Sequence, residues 1–244
     1  MKARGNRDKV LVFTKVGSDM GQGHKDLSAK WIIEEVEASL KRLQTDYIDL
    51  YQSHWPDPNT PQEETLEAHD RLVKAGKVRA IGTSNHDAAL LGEALEISAR
   101  RGFARYETLQ NEFNLYTRNA FEGAVQDICV SAEISGIHYY GLASGFLSGK
   151  YRSPEDASKS PRGTGVVEKY LNPRGLAILA ALDQVSARTG AELSEIALAW
   201  VAAQPAVAAP IASATSVEQV RSLARGARLQ LSATDLEELT AAGR

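Results

Sequence analysis

A single cysteine, Cys129, excludes an internal disulfide and fits a reducing compartment. Long apolar runs are missing as well. None approaches the roughly 18 residues that a membrane-spanning helix needs, and residues 1–8 lack the apolar core of a secretory leader. Charge of one sign is not in excess: 28 Lys+Arg against 31 Asp+Glu give a net charge of −3. That balance offers no basic footprint for nucleic acid and no polybasic patch for a membrane surface. His24, His69, His86 and His138 show no metal-ligand spacing and have no partner cysteines, so no metal site is expected. The absences together leave a cytoplasmic, soluble chain. Cys129 itself reads as a small buried apolar residue in a helical stretch over 124–133.

What is present is ordinary in amount and informative in order. The 43% hydrophobic and 24% charged residues suit one globular domain with a sizeable core. Short apolar runs alternate with segments of helical period, which argues for βα units and a parallel sheet. The first run ends Val10-Leu11-Val12-Phe13-Thr14-Lys15. A glycine-rich loop (Gly17, Gly21, Gly23) leads from it to Ser28, a helix N-cap candidate. Ile32, Ile33, Val36, Leu40 and Leu43 follow at helical spacing. The second run, Tyr47-Ile48-Asp49-Leu50-Tyr51-Gln52-Ser53-His54, places Tyr51 out of phase with His54, so Tyr51 should face the helices.

A helix is expected over 62–75, stopped by Gly76. A third strand over 78–83 delivers Ser84-Asn85-His86, and its helix spans 87–101. Further strands are expected at 107–112, 136–140 and 207–211, with helices at 173–189, 194–204, from Val217, and at 232–242. Residues 152–172 read as one long irregular stretch, a lid or a disordered segment. No repeat and no linker divides the chain. Six βα units are too few for a closed barrel of eight, and no G-x-G-x-x-G follows the Lys15 strand as an open dinucleotide-binding sheet would require. The expected fold is therefore α/β, a (β/α)8 TIM-barrel type that is incomplete, with about six βα units. In such a barrel, a titratable residue at the C-terminal end of a strand marks the chemistry. Lys15 and His54 hold such positions.

Residues 39–57, containing Asp46-Tyr47-Ile48-Asp49-Leu50-Tyr51-Gln52-Ser53-His54-Trp55-Pro56-Asp57, resemble the signature of the aldo-keto reductases around their catalytic histidine. The stretches 76–85, 110–114 and 139–151 resemble the family's next blocks, so the likeness extends along the chain in order. It implies one aldo-keto reductase domain over 1–244 that binds NADP(H), or NAD(H), and reduces a small-molecule aldehyde or ketone. Lys15 and His54 are similar to the catalytic lysine and histidine. Ser84, Asn85 and Gln110 resemble the set that holds the nicotinamide carboxamide, and Tyr139 resembles the aromatic that stacks on the ring. Leu142 and Ser144 match the pyrophosphate loop; Ser213, Thr215 and Gln219 match the segment for the 2'-phosphate end. Trp55 is expected in the substrate pocket wall.

Departures from the pattern carry their own expectations. The family's aspartate and tyrosine belong to strands that would precede this chain, so the barrel is expected to be truncated at its N-terminus and reduction impaired. Tyr116 is a weak candidate for a substitute proton donor. Thr215 and Leu223 stand where many members carry a basic residue and an asparagine, which weakens the case for strong NADP preference. A cofactor-binding regulatory subunit without turnover and a non-functional gene fragment are the alternatives. Open sheet edges point to self-association.

Overall fold

The computed structural model describes residues 2–244. The chain forms two compact units. One comprises the residues up to Asn111 together with Asp127–Ser135, the other Glu112–Gln126 together with Gly136–Arg244. Neither boundary lies in a stretch of linker composition, so the undivided chain expected from sequence had no local cue to this division.

The first unit is built from β1 (Phe13–Val16), α1 (Ala29–Leu43), β2 (Ile48–Ser53), α2 (Gln62–Lys74), β3 (Val78–Ser84), α3 (Ala88–Arg101) and β4 (Tyr106–Gln110). Each strand pairs in parallel with the next, β1 with β2, β2 with β3 and β3 with β4. Parallel neighbours need a crossover, and the helices supply it. α1 begins where Ser28 Oγ accepts from the Trp31 amide and ends where Gln44 turns left-handed at φ 54°. Its Ile32, Val36 and Leu40 form one stripe. With Leu66 and Leu72 of α2 they bury Val16, Ile48, Tyr51 and Ile81 of the strands in a single core. Tyr51 thus faces the helices, as its phase requires. Cys129 is fully buried in α4 (Ala124–Ser131), and burial pushes its thiol up to about 11.

On the other sheet face Gln52, Gly82 and Thr108 crowd together. A Cβ at Gly82 would collide with the Thr108 hydroxyl and lie 3.2 Å from Gln52 Cγ. Only glycine leaves room there for three strands at normal spacing. Outside the core, β1 pairs on one side alone among the described residues, and Leu11 and Phe13 are 71% and 48% exposed.

The second unit pairs β5 (Ser135–His138) with β6 (Val207–Pro210), again in parallel. Around them lie α5 (Gly163–Tyr170), α6 (Pro173–Thr189), α7 (Leu193–Ala202), α8 (Val217–Gly226) and α9 (Ala233–Ala242). The irregular stretch expected over 152–172 is largely helical: a 3-10 segment, Pro154–Lys159, precedes α5. Ser153 and Asp156 form a reciprocal capping box, and Arg152 holds Asp183 of α6 through two bonds of 2.7 Å. α5 then buries Val166 and Tyr170. Polar composition hid this order because the stabilising contacts are caps and ion pairs rather than an apolar stripe.

Candidate active site

The register of the first unit brings the sequence-predicted residues to one edge. Val16 pairs with Ser53, Ser53 with Thr83, and Ser84 with Gln110. Lys15, His54, Ser84 and Gln110 therefore stand at the C-terminal ends of four neighbouring parallel strands, where βα loops leave the sheet. Hydrogen bonds tie them further. The His54 amide donates to Val16 O at 2.8 Å, and Asn85 Nδ2 donates to His54 O at 2.9 Å and to Ser84 Oγ at 3.1 Å. Ser84 Oγ donates in turn to the backbone carbonyl of Gln110.

Asn85 adopts φ 60°, the left-handed region that asparagine tolerates better than most residues. Gln110 is 3% exposed, and its Oε1 has no hydrogen-bond partner among the described residues. A buried carbonyl oxygen in that state is costly unless a donor meets it.

Lys15 is half-buried, and among the described residues no carboxylate pairs with it. Burial lowers its pKa. The His54 pKa is also lowered, first by burial, then by the Lys15 ammonium and by Lys25. At neutral pH His54 is thus held uncharged beside a cation. Its Nδ1 lies 2.6 Å from Ser18 Oγ, and its ring stacks on Trp55 with centroids 5.6 Å apart and planes 17° apart. Lys25 Nζ sits 4.6 Å from the Trp55 ring centroid.

Ser18 and Lys25 escaped the sequence reading. The available signal was their place in the glycine-rich loop after β1, since such loops carry function in parallel βα folds. Gly17, at φ 97°, starts that loop, and the Asp57 carboxylate fixes its far end by accepting from the Leu27 amide at 3.0 Å. Replacing Lys15 by methionine is expected to move the His54 titration midpoint up, towards the ordinary 6.5. NMR titration of the imidazole reads this directly, and an unmoved midpoint would show that the ammonium does not act on the ring.

The second unit carries the remaining residues on two segments that leave neighbouring strands. Tyr139 follows β5 and packs edge-on to Tyr140 at 5.2 Å. Burial raises its pKa, with Glu112 adding to the effect. Leu142 and Ser144 lie in a tight loop in which Tyr140, Ala143, Ser144 and Gly145 all have positive φ. After β6, Ser213, Thr215 and Gln219 are exposed. Gln219 Oε1 accepts from both the amide (2.7 Å) and the hydroxyl (3.1 Å) of Thr215, and Ser216 caps α8. Tyr116, weighed as a substitute proton donor, gives its hydroxyl hydrogen to Lys169 O at 3.3 Å and accepts from Asn172 at 2.8 Å.

The Aldo/keto reductase family profile matches residues 1–244. The chain belongs to the aldo/keto reductase family. It is 34% identical over 245 residues to the aldo-keto reductase YhdN of Bacillus subtilis (strain 168), covering 98% of this chain and 72% of that one. A putative voltage-gated potassium channel subunit beta of Schizosaccharomyces pombe is also 34% identical, over 231 residues, covering 88% of this chain and 65% of the relative. Among solved structures, the thermostable aldo-keto reductase Tm1743 in complex with the inhibitor epalrestat superposes with a TM-score of 0.77 at 26% identity. That match covers 97% of this chain and 72% of the other.

Aldo/keto reductase membership makes the chain an oxidoreductase by family and its βα array one of the (β/α)8 barrel type, with six strands among the described residues. The family match spans the whole chain, so it lends no support to the truncation expected from the missing aspartate and tyrosine. No helix among the described residues is long and apolar enough to cross a membrane.

Proposed function

We propose that this aldo/keto reductase takes a nicotinamide cofactor, NADP(H) or NAD(H), and reduces the carbonyl of a small aldehyde or ketone. The observation that carries the reading is the buried, partnerless Oε1 of Gln110 beside Ser84 and Asn85 at the strand ends. An amide N–H donor satisfies such an acceptor, and the nicotinamide carboxamide has one. The residues therefore fit the group, with Tyr139, Leu142, Ser144, Ser213, Thr215 and Gln219 as further contacts on the reading. A reduced nicotinamide, when bound, supplies hydride.

The chain's own residues supply orientation and charge. With Ser18 as donor to Nδ1, neutral His54 carries its proton on Nε2 and donates it to a carbonyl oxygen. The Lys15 ammonium stabilises negative charge developing on that oxygen. Neither side chain hydrogen-bonds a tyrosine hydroxyl among the described residues, so the reading includes slow turnover. General acid catalysis contributes about 10²- to 10⁴-fold where it operates. The lone buried thiol of Cys129 supports a cytoplasmic setting within the same reading.

Gln110→Leu is the test. It is expected to weaken NADPH binding by roughly 2- to 10-fold, the worth of one net hydrogen bond, in a fluorescence titration of the reduced cofactor. Undiminished binding would remove the carboxamide from this position. The relatives named as potassium channel β subunits favour a second reading, cofactor binding without turnover. Retained NADPH binding with no oxidation of NADPH by an aromatic aldehyde would select it.

A further inference from the structure

Behind the line of site residues, on the helix-facing side of the first unit, lies a polar cluster in an otherwise apolar core. Ser53, the last residue of β2, is fully buried, and its Oγ lies 3.2 Å from His69 Nε2 and 3.2 Å from the Tyr106 hydroxyl. His69 belongs to α2 and Tyr106 opens β4, so one hydroxyl joins a helix and two strands. Its neighbours continue the cluster. The His69 ring meets Tyr51 and Tyr106 edge-on at 5.6 and 6.4 Å, and His86 meets Tyr106 at 5.9 Å. Thr83 Oγ1 lies 2.7 Å from His86 Nδ1, and the His86 carbonyl accepts from Asn111 Nδ2 at 2.9 Å. His69 Nδ1 is buried without a partner.

The fold has no evident need for these groups. Apolar side chains of similar volume would fill the same space without the desolvation of an imidazole and two hydroxyls, and such replacements are often neutral or stabilising. What the cluster does fix is the peptide between Ser53 and His54. Strand alternation turns Ser53 to the helices and His54 to the opposite face. On the site side His54 is held through its own main chain, the N–H by Val16 and the carbonyl by Asn85. On the helix side the bonds to Ser53 Oγ lock its side chain. A rotation of the strand end that swung the imidazole would have to break both sets.

We propose that His69 and Tyr106 are positioning residues that act through Ser53 to hold the His54 imidazole against Lys15 and Trp55. The inference rests on the reading of His54 as the carbonyl-orienting group, but its test needs neither cofactor nor turnover.

The readout is the titration midpoint of His54, followed by NMR in the full chain with labelled histidine. Lys15 and Lys25 are the charged groups acting on it, Lys15 from β1 and Lys25 from the loop that follows, while Ser18 and Asn85 are its neutral partners. Ser53→Ala and Tyr106→Phe are expected to raise the midpoint by about half a pH unit or more, because a released ring gains solvent and moves from the lysine. His69→Gln, which keeps a nitrogen able to reach Ser53, is expected to restore most of the native value, whereas His69→Phe is not. Leu72→Ala, a cavity in the same core, is the control: it lowers the melting temperature and leaves His54 in place. Should Ser53→Ala fail to fold, Tyr106→Phe decides, since it removes a single oxygen. If the network variants melt earlier, as Leu72→Ala does, but leave the His54 midpoint unchanged, the cluster is only structural and the proposal is overturned. A shifted midpoint in a chain that binds no nicotinamide would keep this inference and remove the proposed function.

Discussion

Acidification from pH 7 to about 4 is expected to cost the protein about 3 kcal/mol of folding stability through His69 alone. The ring is fully buried, and burial lowers its pKa from 6.5 to about 4. In the unfolded chain the same imidazole takes up a proton near 6.5. Between the two values the unfolded state binds the proton and the folded state does not, so the stabilisation is complete above about 6.5 and is lost as the pH falls. Below about 4 the folded form protonates as well and the loss levels off. Two and a half pKa units at about 1.4 kcal/mol each, less the part offset because the folded ring is itself half protonated at pH 4, give the stated size.

His86, whose pKa burial also lowers, adds loss in the same direction. The aspartates with lowered values, Asp49 and Asp57 among them, act mainly below their ordinary 3.8, and the exposed Glu155 and Glu218, lowered from 4.5, enter only at the acid end of this window. Urea denaturation at a series of pH values measures the slope. His69→Phe should flatten it between pH 6.5 and 4, and an equal slope in wild type and variant would assign the acid loss elsewhere.

Trp200→Ala should cost the second unit about 3–5 kcal/mol, the usual range for emptying a buried aromatic site. Trp200, in α7, is fully buried, and its ring lies 5.4 Å from Phe113 at an angle of 35°. Its indole N–H donates to Thr240 Oγ1 of α9 at 3.0 Å, and the Arg118 guanidinium carbon sits 5.3 Å from its ring. Arg118 Nη1 also donates to Thr240 O at 2.6 Å. Removing the indole therefore leaves a cavity, takes the hydrogen-bond partner from the Thr240 hydroxyl, and removes the aromatic face beneath a cation that is 9% exposed. Trp200→Phe refills part of the volume and should lose clearly less. Thermal unfolding of the two variants checks the order. Equal melting temperatures for wild type and Trp200→Ala would mean the site collapses without cost.

The order and kind of the elements were legible because burial on one stripe or one face leaves a period in the sequence. The helix 173–189 is bounded by Asn172, a cap whose side chain accepts from Gly175, and by Gly190 at φ 71°, and both signals are local. Strand ends were less sharp: Lys15 was read as the last residue of its strand, yet β1 runs one further, to Val16. α5 was missed because Val166 and Tyr170 are too few for a stripe and its N-cap, Arg162, makes no side-chain cap; the segment before it is tied down by Arg152 and Asp183, which are 31 residues apart in sequence.

At the site, the residue types at the strand ends were read from the likeness to a family, and the parallel register then aligned them. Their chemical state was not readable. Ser18 reaches His54 Nδ1 only because the loop after β1 folds back. The partnerless Oε1 of Gln110 exists only because neighbouring strands bury it.

The sequence by itself determined the alternation of strand and helix, the faces that pack, and the residues at the strand ends, since each depends on neighbours a few positions away. The tertiary structure alone decided the charge state of His54, the seclusion of His69 and the order of residues 152–172. Those depend on desolvation and on contacts between segments distant in sequence, which local pattern does not encode.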